Sequence, residues 1–156
     1  MTKEQFTEAV LALQPTLYRV TRTQLRVAAD CEDAVQETLR RAWEKRDRLR
    51  EPSALRAWLI RILLNVCRDI QREHRRQIPV EQLPDRPQQA GEHLLMDALM
   101  TLPPKYRAVI ILHHAEGFEV AEMAHMLGIP QGTVKSRLAR GRHALEKAYE
   151  KEALTE

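Results

Sequence analysis

Apolar residues recur along this chain at intervals of three and four, the spacing that lines one side of an α-helix. Phe6, Val10, Leu13, Leu17 and Val20 follow it, so Glu4 to Leu25 reads as one amphipathic helix or two, with a kink at Pro15. A second helix is expected from Asp30 to about Arg46. Carboxylates at 30, 32 and 33 suit its N-terminal cap and dipole, and Val35, Leu39, Ala42 and Trp43 form one stripe. Lys45 to Pro52 is charged and has only Leu49 as an apolar anchor, so it reads as an exposed loop. Pro52 and Ser53 then open the longest helix, which meets no breaker before about Arg76 and turns Leu55, Trp58, Leu59, Ile62, Leu63, Val66 and Ile70 toward a core.

Three prolines, Pro79, Pro84 and Pro87, remove backbone donors from the stretch 77–92, which marks it as a linker between two helical modules, 1–76 and 93–156. In the second module a helix from about His93 to Leu102 stops at Pro103 and Pro104, and another runs from Lys105 to Ala115, anchored by Val109, Ile110 and Leu112. The scarcity of Gly, at 5 residues, together with the abundance of Leu, Ala, Arg, Glu and Gln, gives an all-α fold class, two small helical domains. At 156 residues the chain is too short for a large pocketed enzyme. No apolar run approaches the roughly 18 to 20 residues that span a bilayer, and Met1 to Phe6 lacks the basic stretch of an export signal, so a cytoplasmic protein is expected. Cys31 and Cys67 form neither a disulfide framework nor a metal-binding pair, and Cys67, following Val66, reads as a small buried hydrophobe.

Charge separates the modules. Residues 1–76 hold 16 Lys and Arg against 11 Asp and Glu, whereas residues 93–156 hold 8 against 8. Within the long helix Arg61, Arg68, Arg72 and Arg75 fall in one narrow stripe at about 100° per residue, with Asn65 and Asp69 at its flanks. Solvated helix faces usually mix signs for pairing between adjacent turns; an all-arginine stripe instead suits a polyanion, because the guanidinium fork holds phosphate bidentately.

The most informative stretch is Val120 to Leu138, with Ala124, Gly128, Val134 and Leu138 at the fifth, ninth, fifteenth and nineteenth places. This is a helix-turn-helix pattern: the small residue admits a close crossing, Gly128 supplies the positive φ that ends the first helix, and Val134 with Leu138 buries the second. The second helix, Gln131 to about Tyr149, turns Val134, Leu138, Gly141, Leu145 and Ala148 inward and Lys135, Ser136, Ala139, Arg140 and His143 outward. Between Glu122 and Glu146 the formal charges are Lys135, Arg137, Arg140 and Arg142, all positive, as a helix entering a phosphate-walled groove requires. Glycine-turn hairpins also occur in bundles that never touch DNA, and the pattern alone leaves that alternative open. His113 and His114 lack a third ligand at usable spacing and are read as helix-terminal residues, not a metal site.

At these residues the sequence resembles the extracytoplasmic-function group of the sigma-70 family, RNA polymerase subunits that direct transcription initiation. Asp30-Cys31-Glu32-Asp33-Ala34-Val35-Gln36-Glu37, with Ala42-Trp43, looks like the part of region 2 that docks on the clamp helices of the polymerase's largest subunit. The resemblance implies Asp30, Asp33, Gln36, Glu37 and Arg40 as partner contacts. Trp58-Leu59-Ile60-Arg61-Ile62, Asn65, Asp69 and Arg72 resemble the part that reads the minus-10 element, which with Arg68 gives the first set of DNA candidates. Gly132-Thr133-Val134-Lys135-Ser136-Arg137-Leu138 is similar to region 4, which reads the minus-35 element, giving Thr133, Lys135, Ser136, Arg137, Arg140 and Arg142 as the second. The resemblance further implies contact with the flap of the second-largest subunit, an anti-sigma factor as regulator, and neither cofactor, metal, catalytic residue nor small-molecule substrate.

Three local expectations accompany it. Glu119 stands where the family usually places a Ser or Thr cap, so that helix should start about 1 kcal/mol weaker. Trp43 and Trp58 lie on apolar stripes and should pack in the core rather than stack on bases. A stand-alone repressor would use the same helix-turn-helix but bind its operator without polymerase.

Overall fold

The structure, a computed structural model, describes residues 1–77 and 93–154, so most of the expected linker at 77–92 lies outside the described residues. The chain divides into two compact units, Met1–Arg86 and Pro87–Glu156. Among the described residues both consist of helices and the turns between them, with no strand.

In the first unit the opening amphipathic segment is two helices, α1 (Lys3–Ala12) and α2 (Gln14–Gln24). The chain turns at Leu13, and Pro15 occupies the first turn of α2, where its missing amide has no intrahelical partner to lose. Thr2 and Gln5 cap α1 reciprocally, amide to side chain, at 2.9 and 3.0 Å. Helix α3 (Ala28–Glu44) begins two residues before Asp30: Val27 is its N-cap and gives no side-chain bond, leaving Asp30 in the first turn as a dipole partner and not the cap. The charged connection that follows has two short 3-10 turns, Arg46–Arg48 and Pro52–Ala54, and the second leads into α4 (Leu55–Gln77). Helix α4 packs on α2 and α3. Leu17, Val20, Val35, Leu59, Ile60, Leu63 and Val66 are almost wholly buried at that junction, together with Cys31 and Cys67. Burial, and secondarily Cys31, push the Cys67 thiol up to about 12, which leaves it inert. The buried hydroxyls of Thr21, Thr23 and Thr38 each donate to a carbonyl of their own helix, so they cost the core no unpaired donor.

The second unit consists of α5 (His93–Met100), α6 (Pro104–Ile110), α7 (Val120–Leu127) and α8 (Gln131–Leu154). Helix α6 starts at Pro104, one residue before expectation, and Ile111–Ala115 continues it as a single wide turn. Leu99, Leu102 and Ile110 form a core onto which Tyr106 and Leu145 pack, and Val134 and Leu138 are buried as their spacing requires. Gly141 has a packing reason: a β-carbon there would lie 3.0 Å from Ile110 Cδ1 and 3.4 Å from Tyr106 Cβ. Helix α8 outruns its expected end at Tyr149, since Glu150 to Leu154 are good helix formers with no breaker among them.

The expected weak start of α7 is offset: Glu119 and Glu122 cap reciprocally, with Glu122 Oε1 accepting from the Glu119 amide at 3.0 Å. Its end is fixed by Gly128 at φ +67°, after which the amides of Gly128 and Ile129 both return to the carbonyl of Ala124. A β-carbon at Gly128 would touch nothing within 4 Å. Gly128→Ala should therefore reveal backbone strain without a clash, lowering the stability of the second unit by about 1 kcal/mol and its Tm by several degrees in thermal unfolding. An unchanged Tm would show that the turn does not need the left-handed conformation.

Candidate nucleic-acid and polymerase interfaces

Helix α4 has two opposite faces. Arg61, Asn65, Arg68, Asp69, Arg72 and Arg75 are all exposed, and their positions cover about one third of the helix circumference, away from Leu59, Leu63 and Val66. The stripe is less purely cationic than its arginines suggest. Asp69 accepts from Arg72 Nη2 at 2.8 Å and lies 3.5 Å from Arg41 Nη2 of α3. Such half-exposed ion pairs are weak and screened by salt, so they order the guanidinium without consuming it.

On α3 the buried side is Cys31, Ala34, Val35, Thr38 and Ala42, and the opposite side carries Asp33, Gln36 and Arg40 in the open with Glu37 half-exposed. Glu37 is a junction: it accepts from Arg40 Nε at 3.0 Å and from Arg41 Nε at 2.9 Å, and Arg40 also reaches Glu44. Hydrogen bonds from Arg40 and Arg41 hold its carboxyl down at about 2. The same carboxylate raises the pKa of Arg40. Asp30 has surroundings that local spacing did not indicate. Its side chain is only 20% exposed and turns from the open face toward α4, with Oδ2 2.6 Å from His74 Nε2.

Trp43 departs from expectation. It is 42% exposed rather than packed in the core, with Arg46 stacked 4.1 Å above its ring. Phe6 lies between the two indoles, at 6.3 Å from Trp43 and 6.2 Å from Trp58, so the aromatic cluster anchors α1 while Trp43 forms its rim.

In the second unit α8 presents Lys135, Ser136 and Arg140 to solvent, with Arg142 exposed on one flank and Thr133 and Arg137 half-buried on the other. The Ser136 hydroxyl donates to the Thr133 carbonyl at 3.0 Å, leaving its lone pairs for an incoming donor. Arg142 Nε donates to His114 Nε2 at 3.0 Å, a contact that fixes α8 against the end of α6. Burial, then Arg142, then His113 lower the pKa of His114, keeping that nitrogen available as an acceptor. His113 Nδ1 lies 2.8 Å from the Phe118 carbonyl, so the two histidines are engaged within the fold. Among the described residues no group of three His, Cys, Asp or Glu side chains could hold a metal ion, and no helix is long and apolar enough to cross a membrane.

Sequence reasoning missed the Asp30–His74, Arg142–His114 and Gln71–Gln24 contacts, the last running from Gln71 Nε2 to the Gln24 carbonyl at 2.8 Å. Their partners are distant in sequence and carry no local spacing signal. The Trp43–Arg46 stack, at i,i+3, is legible in principle.

Residues 9–77 match the family model for sigma-70 region 2, and residues 92–145 match that for sigma-70, region 4. The chain is 34% identical over 143 residues to the RNA polymerase sigma-E factor of Streptomyces coelicolor, covering 87% of this chain and 81% of the relative. It is 35% identical over 135 residues to the ECF RNA polymerase sigma factor SigM of Mycobacterium tuberculosis, covering 83% and 69%. Among solved structures it is similar to the sigma factor RpoE in complex with the anti-sigma factor NepR from Bartonella quintana, with TM-score 0.80, 30% identity and coverage of 94% and 98%. A second is CnrH in complex with the cytosolic domain of CnrY, with TM-score 0.72, 27% identity and coverage of 96% and 90%. The chain belongs to the sigma-70 family, among the extracytoplasmic-function factors that give RNA polymerase its promoter specificity.

The pKa of Glu37 yields a prediction within the α3 face. Because it is lowered from the ordinary 4.5 to about 2, its stabilising bonds are fully present above 4.5 and are lost only as pH falls from there through about 2. A carboxyl-carbon NMR titration should find the Glu37 midpoint well below 4.5, returning toward it in Arg40→Ala. A midpoint near 4.5 in the parent chain would mean that the two guanidinium groups do not hold this carboxylate.

Proposed function

We propose that the two units divide promoter recognition between them, residues 1–76 serving polymerase docking and the minus-10 element, 93–156 serving the minus-35 element, and 77–92 joining them. The observation that carries this reading is the two-sided α4, whose arginine side is held in solvent by burial of the other. Asp33, Gln36, Glu37 and Arg40 would meet the clamp helices of the largest polymerase subunit. Arg61, Asn65, Arg68, Asp69 and Arg72 would hold the opened minus-10 strand, with arginines on its backbone and Asn65 available to a base edge. In the second unit Thr133, Lys135, Ser136, Arg137, Arg140 and Arg142 would meet minus-35 DNA, while other surfaces of the unit contact the flap of the second-largest subunit.

The factor would have no catalytic residue, cofactor, metal or small-molecule substrate of its own, consistent with relatives that are named as sigma factors. It would act in the cytoplasm, where its polymerase and promoter are. RpoE and CnrH are both found with partners, one of them named as an anti-sigma factor, which supports an anti-sigma partner for this chain as well.

A gel shift with and without core polymerase tests the reading. Specific promoter binding should require core enzyme, and Arg68→Ala or Asn65→Ala should reduce open-complex formation more than closed-complex binding. Tight operator binding by the chain alone would instead favour a repressor, and equal losses in both complexes would reduce these residues to general backbone anchors.

The two arginines of α8 should also differ. Arg140 lies on the outward face with the reach to hold a guanine through two acceptors, whereas Arg142 lies on a flank and is oriented by His114. Arg140→Ala should cost roughly 1 to 3 kcal/mol and relax preference at one minus-35 position, while Arg142→Ala should weaken all sequences alike and lower the salt slope by about one. A promoter library in which both variants show the same uniform loss would make Arg140 a phosphate contact.

A further inference from the structure

We infer that Asp30 and His74 are a positioning pair that sets the strand-binding part of α4, and that Asp30 is not a polymerase contact. The inference rests on the assignment of α4 to the minus-10 strand. Past Cys67 the helix has no further fully buried apolar residue among those described, although it continues to Gln77 and carries Arg68 and Arg72. Polar contacts reach neighbouring helices from this half. Asp69 lies 3.5 Å from Arg41, Gln71 donates to the Gln24 carbonyl at 2.8 Å, and His74 Nε2 lies 2.6 Å from Asp30 Oδ2.

The last contact is the shortest of these and better sheltered than Asp69–Arg41, with side-chain exposures of 26% for His74 and 20% for Asp30. His74 Nδ1 is buried with no hydrogen-bond partner. A ring whose proton sits on Nε2 donates it to Asp30 and leaves no buried donor unpaired, so Asp30 also selects the tautomer. Asp30 lies in the first turn of α3, where the amide ends favour its negative charge, and this anchors the acceptor side of the bond. The pair therefore joins the start of α3 to the far part of α4, and its loss should let the segment with Arg68 and Arg72 shift relative to the polymerase-docking helix.

The test uses the full chain assembled with core polymerase and a single-stranded non-template oligonucleotide bearing the minus-10 element. Asp30→Ala and His74→Phe should each weaken oligonucleotide binding by about fivefold, and the double variant should be no worse than either single one, as for residues acting through one contact. Asp30→Asn, which keeps an acceptor oxygen, should restore most of the binding. Affinity for core polymerase should stay within about twofold of the parent chain in all of them, as for residues that lie outside that interface. Loss of core affinity in Asp30→Ala but not in His74→Phe would overturn the inference and return Asp30 to the docking face. So would unchanged oligonucleotide binding, additive losses, or failure of Asn to rescue. Arg68→Ala serves as the control: if it too leaves oligonucleotide binding unchanged, the assignment of α4 to the strand fails; if it alone weakens binding, only the positioning role fails.

Discussion

Helix α4 buries Leu59, Leu63 and Val66 on one side and keeps Arg61, Arg68 and Arg72 in water on the other, and the first unit is organised around that division. Guanidinium groups cannot follow the apolar side into the core without a large desolvation cost, so burial of one face fixes the direction of the other. Helices α2 and α3 cover the apolar side. The face offered to a polyanion is thus a consequence of core packing, and a substitution that rotated the helix would disturb both.

A row of like charges repels itself, which limits how many arginines one face can carry. Asp69 moderates this by pairing with Arg72 and approaching Arg41, at the cost of some positive potential. Because these pairs are solvent-exposed, a phosphate can compete for the arginines. The acidic and basic residues of α3 follow a different arrangement: Glu37 is bound by two guanidinium groups of its own helix, so the surface around it is an ordered network of both signs, suited to a partner with complementary charge.

The second unit reaches a protruding basic helix by backbone geometry. Gly128 in the left-handed region turns the chain sharply, Pro130 precedes the next helix without interrupting it, and Gly141 lets α8 approach Ile110 and Tyr106 closely. Val134 and Leu138, buried on the inner side, then hold Lys135 and Arg140 outward. Arg142 has two allegiances, exposed on α8 but bonded to His114, and this distinguishes it from Arg140 although both are arginines two residues apart.

Helical periodicity determined a great deal by itself: the helices, the inward positions Leu59, Leu63, Val134 and Leu138, the outward Arg68 and Arg140, and the turn at Gly128 all follow from local spacing and the limits of φ. Local spacing could not give the surroundings of Asp30 or Trp43. Asp30 is claimed by His74, and Trp43, which spacing put on the core stripe, is left half in solvent beneath Arg46, with Phe6 against both indoles. Contacts such as Arg41–Asp69 and Gln71–Gln24 join residues 28 and 47 positions apart. Whether such groups meet depends on the relative rotation and offset of packed helices, which the core as a whole decides and no short stretch of sequence encodes.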